Sequence, residues 1–230
     1  IAALLSQCPV MLEIFDTAGD IHSSTASAVS GIPIDQLTKE DRKKAKAVNF
    51  GFLYGMGWNK FMDYALDKYG VVLSERQSKQ YRESFFKMYP GLEPWHKKQR
   101  RIVNATGQVR TLTGRVRHLP EIDSPDFKLS SQAERQSINS PVQGFGGELT
   151  FMAATQIVQE IPNKDLRVCG TIHDAVVGRV RTKKAKKLLK KVKGIMESPR
   201  ILSELGVKLG VPVVVDVSLG NWGIGQELEF

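Results

Sequence analysis

The chain has 230 residues, 41% of them hydrophobic and 25% charged, with 33 Lys and Arg against 24 Asp and Glu for a net charge of +9. That composition excludes a disordered chain and allows one large domain or two small ones, while the positive excess suits a partner that carries phosphates. Cys8 and Cys169 stand alone, without a CxxC or a His-rich companion, which argues against a disulfide framework or a zinc site and favours an intracellular compartment.

In chain order, residues 1–16 show an apolar helical pattern that begins at Ile1 without a cap, as though cut from something longer. The stretch 16–31, DTAGDIHSSTASAVSG, is polar and turn-rich. Thr38 followed by Asp41 predicts a capping-box-like start to a helix over the early 40s. Further helices are expected over 58–69, over 74–88 with Ser74 as its cap, and over 94–106. Glycines and alternating basic and apolar residues in 107–120 predict a short hairpin, and 120–125 a loop. Helix is expected again near 130–139, interrupted at Pro141 and resuming over 143–160. Two β-rich runs in 167–180 flank His173-Asp174, a hairpin candidate, followed by a basic amphipathic helix over 183–197 and a strand over 211–218. In that last helix Ala185, Leu188, Leu189, Val192, Ile195 and Met196 form a core-facing stripe, and the lysines its solvated side. No apolar run reaches the roughly 18 residues that span a bilayer. Helices first, then helix, hairpin, helix and strand, predict an α+β fold.

Residues 41–57, DRKKAKAVNFGFLYGMG, pose the functional question. Arg42, Lys46, Phe50 and Tyr54 recur every four residues, which sets them on a band about 120° wide on one side of a helix. Two cations one turn apart can hold a polyphosphate, and an aromatic ring one turn further offers an apolar face to a sugar or base. Gly55 and Gly57 would let the helix end and another backbone approach beside Tyr54. The spacing alone equally fits a surface helix with solvated cations and aromatics turned to the core.

The pattern Arg-x-x-x-Lys-x-x-x-Phe-Gly-x-x-Tyr-Gly over 42–55 resembles the nucleotide-binding helix of family A DNA polymerases, the bacterial polymerase I type. Four more segments resemble that family in its own order: GDIHSSTAS (19–27), TLTGRVRHLP (111–120), RQSINSPVQGFGGEL (135–149) and TIHDAVV (171–177). The resemblance implies a right-hand polymerase architecture, with 1–33 as a palm segment, 34–130 as helical fingers, and 131–230 as palm with an antiparallel sheet and the His-Asp hairpin. Arg42 and Lys46 would hold the incoming dNTP triphosphate, Lys46 counting with Asp174 as catalytic. Phe50 would stack on base and sugar, a Phe there being associated in the family with rejection of dideoxynucleotides. Tyr54 would sit against the template base position, and closure of the helix on a correct pair would gate the reaction. Arg115, Arg135, Asn139, Gln143 and His173 would contact primer–template DNA, the middle three reading the minor-groove edge, where acceptors are similar for every pair.

An Asp at a hairpin tip is usually a turn former. The resemblance instead makes Asp174 one of two aspartates that hold a pair of Mg²⁺ ions. Ala175 departs from the family, which commonly has Glu after His-Asp, so an auxiliary carboxylate is lost there. A larger departure is that the family's first metal-binding Asp lies just before the segment that IAALLSQ resembles. The expectation is a C-terminal part of a split or processed polymerase. An N-terminal polypeptide would supply the thumb, the first catalytic Asp and, where present, an exonuclease, and an apolar surface around residues 1–15 would await it. The setting expected is the cytoplasm of a bacterial or phage-infected cell rather than an organelle, with no membrane association. A single-subunit RNA polymerase and a non-catalytic DNA-binding remnant are the rival readings.

Overall fold

The computed structural model describes residues 1–221 and 224–230, which fall into two compact units, Ile1–Val142 and Gln143–Phe230. The first unit is helical. It holds α1 (Ala2–Ser6), α2 (Pro9–Asp16), α3 (Ile21–Ser30), α4 (Lys39–Leu53), α5 (Trp58–Tyr69), α6 (Glu75–Met88) and α7 (Leu92–Thr106). A short antiparallel ribbon of β1 (Gln108–Arg110) and β2 (Val116–His118) follows, and the first part of α8 (Phe127–Glu160) closes the unit. The second unit holds the rest of α8, the antiparallel hairpin β3 (Leu166–Ile172) and β4 (Ala175–Val180), α9 (Ala185–Glu197), α10 (Ile201–Glu204), and a ribbon of β5 (Val217–Leu219) with β6 (Gln226–Leu228). The fold is α+β, as expected. Its strands form three separate two-stranded sheets among the described residues, not one larger sheet. No helix among the described residues is long and apolar enough to cross a membrane.

Local signals explain most helix starts. Thr38 Oγ1 accepts from the Asp41 amide at 3.2 Å, and the Asp41 carboxylate accepts from the Thr38 amide at 3.1 Å. Ser74 and Gln77 repeat the device at α6. The single helix expected over 1–16 is broken instead. Gln7 adopts a left-handed conformation (φ 49°), and Pro9 starts a new helix, because a proline excludes helical backbone from the residue before it. Residues 21–30, read as turn-rich, are helical. Asp20 caps the amide of His22 at 3.1 Å, and Ser24, Thr25 and Ser30 hydrogen-bond back to carbonyls one turn earlier, so their hydroxyls support the helix.

Pro141 does not interrupt α8. The helix runs 34 residues through it, held by packing of Ile138 and Val142 into the first core. The expected strand over 211–218 shrinks to Val217–Leu219. Pro212 lacks an amide hydrogen, and the amide and carbonyl of Val215 bond to Glu197 and Lys193 side chains of α9 in place of a neighbouring strand. The apolar surface expected around residues 1–15 is also absent. Ala3, Cys8 and Met11 are buried, and Leu5, Val10, Leu12, Ile14 and Phe15 pack against the same core as Phe52, Phe61 and Phe85.

α4 is embedded in that core. Its Ala45, Ala47, Val48 and Phe52 are buried, and the Phe52 ring lies 4.3 Å from that of Phe61. Gly51 sits in the last turn of α4, where a Cβ would come within 2.7 Å of the Phe61 ring. Its role is close packing of α4 on α5. Gly51→Ala is expected to destabilise the chain by about 1–3 kcal/mol, since Phe61 is itself fully buried and cannot yield cheaply; urea unfolding measures it.

Beyond α4, Gly55 takes φ 75°, and Ile138 of α8 fills the space where a Cβ would stand. His96 of α7 anchors the same turn, its Nε2 donating to the Leu53 carbonyl at 2.9 Å. Burial pushes the His96 pKa down to about 4, with Arg100 and Arg82 adding to the effect against the raising influence of the Leu53 bond. The unfolded chain therefore binds a proton that the folded chain refuses between the ordinary value of 6.5 and about 4. Stability is expected to fall as pH drops through that window and to level off below it. Thermal melts of wild type and His96→Gln should converge toward acid pH.

Candidate active site

The helix α4 presents the expected stripe. Arg42 and Phe50 are exposed, Lys46 is half-buried, and Tyr54 caps the helix C-terminus against the first core. Phe50 is 44% exposed, as several other large apolar side chains are, so its exposure gains meaning only from its place one turn beyond Lys46.

The structure adds residues from α3 that the sequence did not single out. Arg42 Nε lies 2.7 Å from Asp20 Oδ2, and the same carboxylate accepts from Ser23 Oγ at 2.7 Å and from the His22 amide. Burial alone would raise the Asp20 pKa, but the bonds from Arg42, Ser23 and His22 outweigh it and hold the carboxyl well below its usual range. His22 stands beside the stripe, its ring centroid 6.0 Å from that of Phe50. Asn49, buried one position before Phe50, places Nδ2 2.9 Å from His22 Nδ1. With the amide donating, Nδ1 accepts and the imidazole proton sits on Nε2. Burial lowers the His22 pKa, and Arg42 and Lys46 lower it further against the opposing pull of Asp20, so the ring stays neutral near pH 7. Thr25 Oγ1 completes the support, 2.9 Å from Asn49 Oδ1 and 2.7 Å from the Tyr89 hydroxyl. The cluster thus sets two cations, a neutral N–H donor and an aromatic face on a buried polar scaffold. The available signal was the D-x-H-x-x-T run at 20–25, whose cap and back-bonding Thr turn His22 toward α4.

Arg135 and Asn139 lie one turn apart on α8, both half-buried. Asn139 Oδ1 is buried without a hydrogen-bond partner, an acceptor that a ligand or partner could satisfy. Gln143 follows at the next four-residue step, as the first residue of the second unit, and is exposed. Arg115 is exposed at the turn joining β1 and β2.

In the second unit, His173 and Asp174 form the two-residue turn between paired Ile172 and Ala175. His173 adopts φ 55°, and both side chains are exposed. Asp174 and Asp216 line a cavity of about 410 Å³ floored by Leu166, Val168, Val180 and Val192. No group of three or more His, Cys, Asp or Glu suited to a metal occurs among the described residues. One exposed carboxylate does not fit a pair of magnesium ions, which need several oxygens each.

The family model for DNA polymerase family A matches residues 1–223, and the chain belongs to that family. It is similar to the DNA polymerase of Bacillus phage SP01, 32% identical over 219 residues that cover 94% of this chain and 24% of that protein. It is similar also to DNA polymerase I of Aquifex aeolicus, 31% identical over 220 residues, 94% of this chain and 36% of that protein. Among solved structures, the POL domain of Pol1 from M. smegmatis in complex with DNA primer-template and dNTP superposes with a TM-score of 0.80 at 27% identity, covering 92% of this chain and 35% of that one. The chain therefore spans roughly a quarter to a third of the length of these relatives.

Proposed function

We infer that this chain is the nucleotide-selecting and partly catalytic portion of a template-directed DNA polymerase, which joins dNTPs to a primer 3′ end with release of pyrophosphate. The observation that carries the reading is the Arg42–Lys46–His22–Phe50 cluster, built as a polyphosphate and base platform in a chain of the DNA polymerase A family. Arg42 and Lys46 bind the triphosphate, neutral His22 donates from Nε2 to a phosphate oxygen, and Phe50 stacks on the sugar and base. Tyr54 closes the site on the template side, and α4 through α7 act as fingers. Arg115, Arg135, Asn139, Gln143 and His173 hold primer–template. The relatives' names as DNA polymerases favour DNA over RNA synthesis.

Asp174 is the carboxylate of the chemical step. Because Asp174 alone does not fit two Mg²⁺ ions, a second aspartate from an N-terminal polymerase polypeptide would have to hold them with it. The packing of the apolar side chains of residues 1–15 onto the first core gives that arrangement no support, so it rests on the metal chemistry alone. The cellular setting that fits is the cytoplasm of a bacterial or phage-infected cell.

Primer extension with Mg²⁺ and dNTPs, by the chain alone and mixed with the upstream polypeptide, tests the reading. Extension only in the mixture supports a site completed in trans. Duplex binding without extension in any mixture leaves the non-catalytic remnant instead.

A further inference from the structure

Residues 164–193 carry eleven Lys or Arg against two acids, Asp165 and Asp174, so this segment accounts for the whole net charge of +9 and the rest of the chain is balanced. Within it, Asp165 is engaged by Lys184 at 2.8 Å and Arg181 at 3.5 Å. Arg167 and Arg179 are left without any carboxylate among the described residues. They sit directly opposite each other across β3 and β4, and both are exposed. Strand alternation sends Leu166, Val168 and Val180 into the core of the second unit and therefore sends both arginines to the outward face. Like charges directly opposite on a hairpin weaken it unless an anion lies between them.

We propose that Arg167 and Arg179 form a two-pronged clamp for the phosphodiester backbone of nucleic acid. Two guanidinium forks side by side match phosphate oxygens. The surface beside them is low. Next to Arg167, exposed Cys169 and Gly170 lie at the register shift of β3, and the space where a Gly170 side chain would stand is open. A protein partner would need an apolar centre around the charges; this face offers Cys169, Gly170 and a half-buried Val177, over which a sugar–phosphate strand can lie. The pair stands on the order of 15–20 Å along the strands from the turn, too far to share a ligand with Asp174. It is a strand-holding device, separate from the metal carboxylate.

The inference rests on the reading of the chain as a primer–template-binding domain, and equilibrium binding tests it apart from synthesis. Binding of the full chain to a labelled DNA duplex would be measured across a salt series, for wild type, R167Q/R179Q and K186Q/K187Q. The arginine double variant should bind more weakly, with a log–log salt slope shallower by about 1 to 2, at about 0.9 per phosphate contact. The lysine variant removes the same charge from α9 and should leave the slope unchanged. R179E should raise the melting temperature by pairing with Arg167, yet weaken DNA binding, which separates contact from folding. An unchanged slope in R167Q/R179Q, or an equal change in the lysine variant, would overturn the clamp while leaving the polymerase reading intact. Equal loss of binding to polyglutamate would also overturn it, as a general polyanion surface. Wild type that bound no duplex would overturn both.

Discussion

Asp174→Ala is expected to lower primer extension in the complemented system by more than about a thousandfold, with duplex affinity little changed. Removing one group that stabilises transition-state charge commonly costs about 10²–10³ in rate, and a carboxylate shared by a metal pair cannot be replaced by water without losing ligand charge. The structure makes the two readouts separable. Asp174 is exposed at a two-residue turn, and the hairpin register from Leu166↔Val180 to Ile172↔Ala175 does not depend on its side chain. Asp174→Asn should be nearly as inactive, because the amide keeps the shape and loses the charge. Extension above a tenth of wild type in either variant would remove Asp174 from the chemical step.

The parts legible in the sequence are those whose causes are local. Thr38 and Asp41 announce the start of α4 because both halves of the capping box lie within one turn. The Arg42–Lys46–Phe50 spacing could be read because a helix converts a four-residue interval into one face. The parts that escaped depend on long-range partners. Asp20 and Arg42 are 22 residues apart, and nothing between them signals that one carboxylate caps α3 and grips α4. The hydroxyl-rich 21–30 segment folds as helix because Thr25 and Asn49 are buried together, a tertiary reason that outweighs propensity. Pro141 stays inside α8 for a similar reason, since Ile138 and Val142 tie the turn on either side of it to the core. Val211–Val217 reads as a strand by composition, but Val215 spends its backbone bonds on α9 side chains.

That pairing of Asp20 with Arg42 also ranks the two cations of the nucleotide platform. Lys46→Ala is expected to raise the KM for dNTP more than Arg42→Ala does. A hydrogen bond to a charged group contributes about 1.5–3 kcal/mol, so loss of Lys46 should lower kcat/KM by roughly 10- to 150-fold. Lys46 forms no ion pair among the described residues, so on the proposed reading its charge would meet the triphosphate uncompensated. Arg42 already shares its Nε with Asp20, and much of its attraction for a phosphate is offset by the carboxylate beside it. Asp20→Asn should therefore narrow the gap by releasing Arg42, with Arg42→Ala becoming the costlier change in that background. Steady-state kinetics of the three single variants and of Asp20→Asn/Arg42→Ala would show it, using the complemented enzyme and separate dNTP titrations. If Arg42→Ala proves the more damaging in the wild-type background, Asp20 orients Arg42 toward the phosphates instead of competing for it. Asp20→Asn should then weaken dNTP binding along with it.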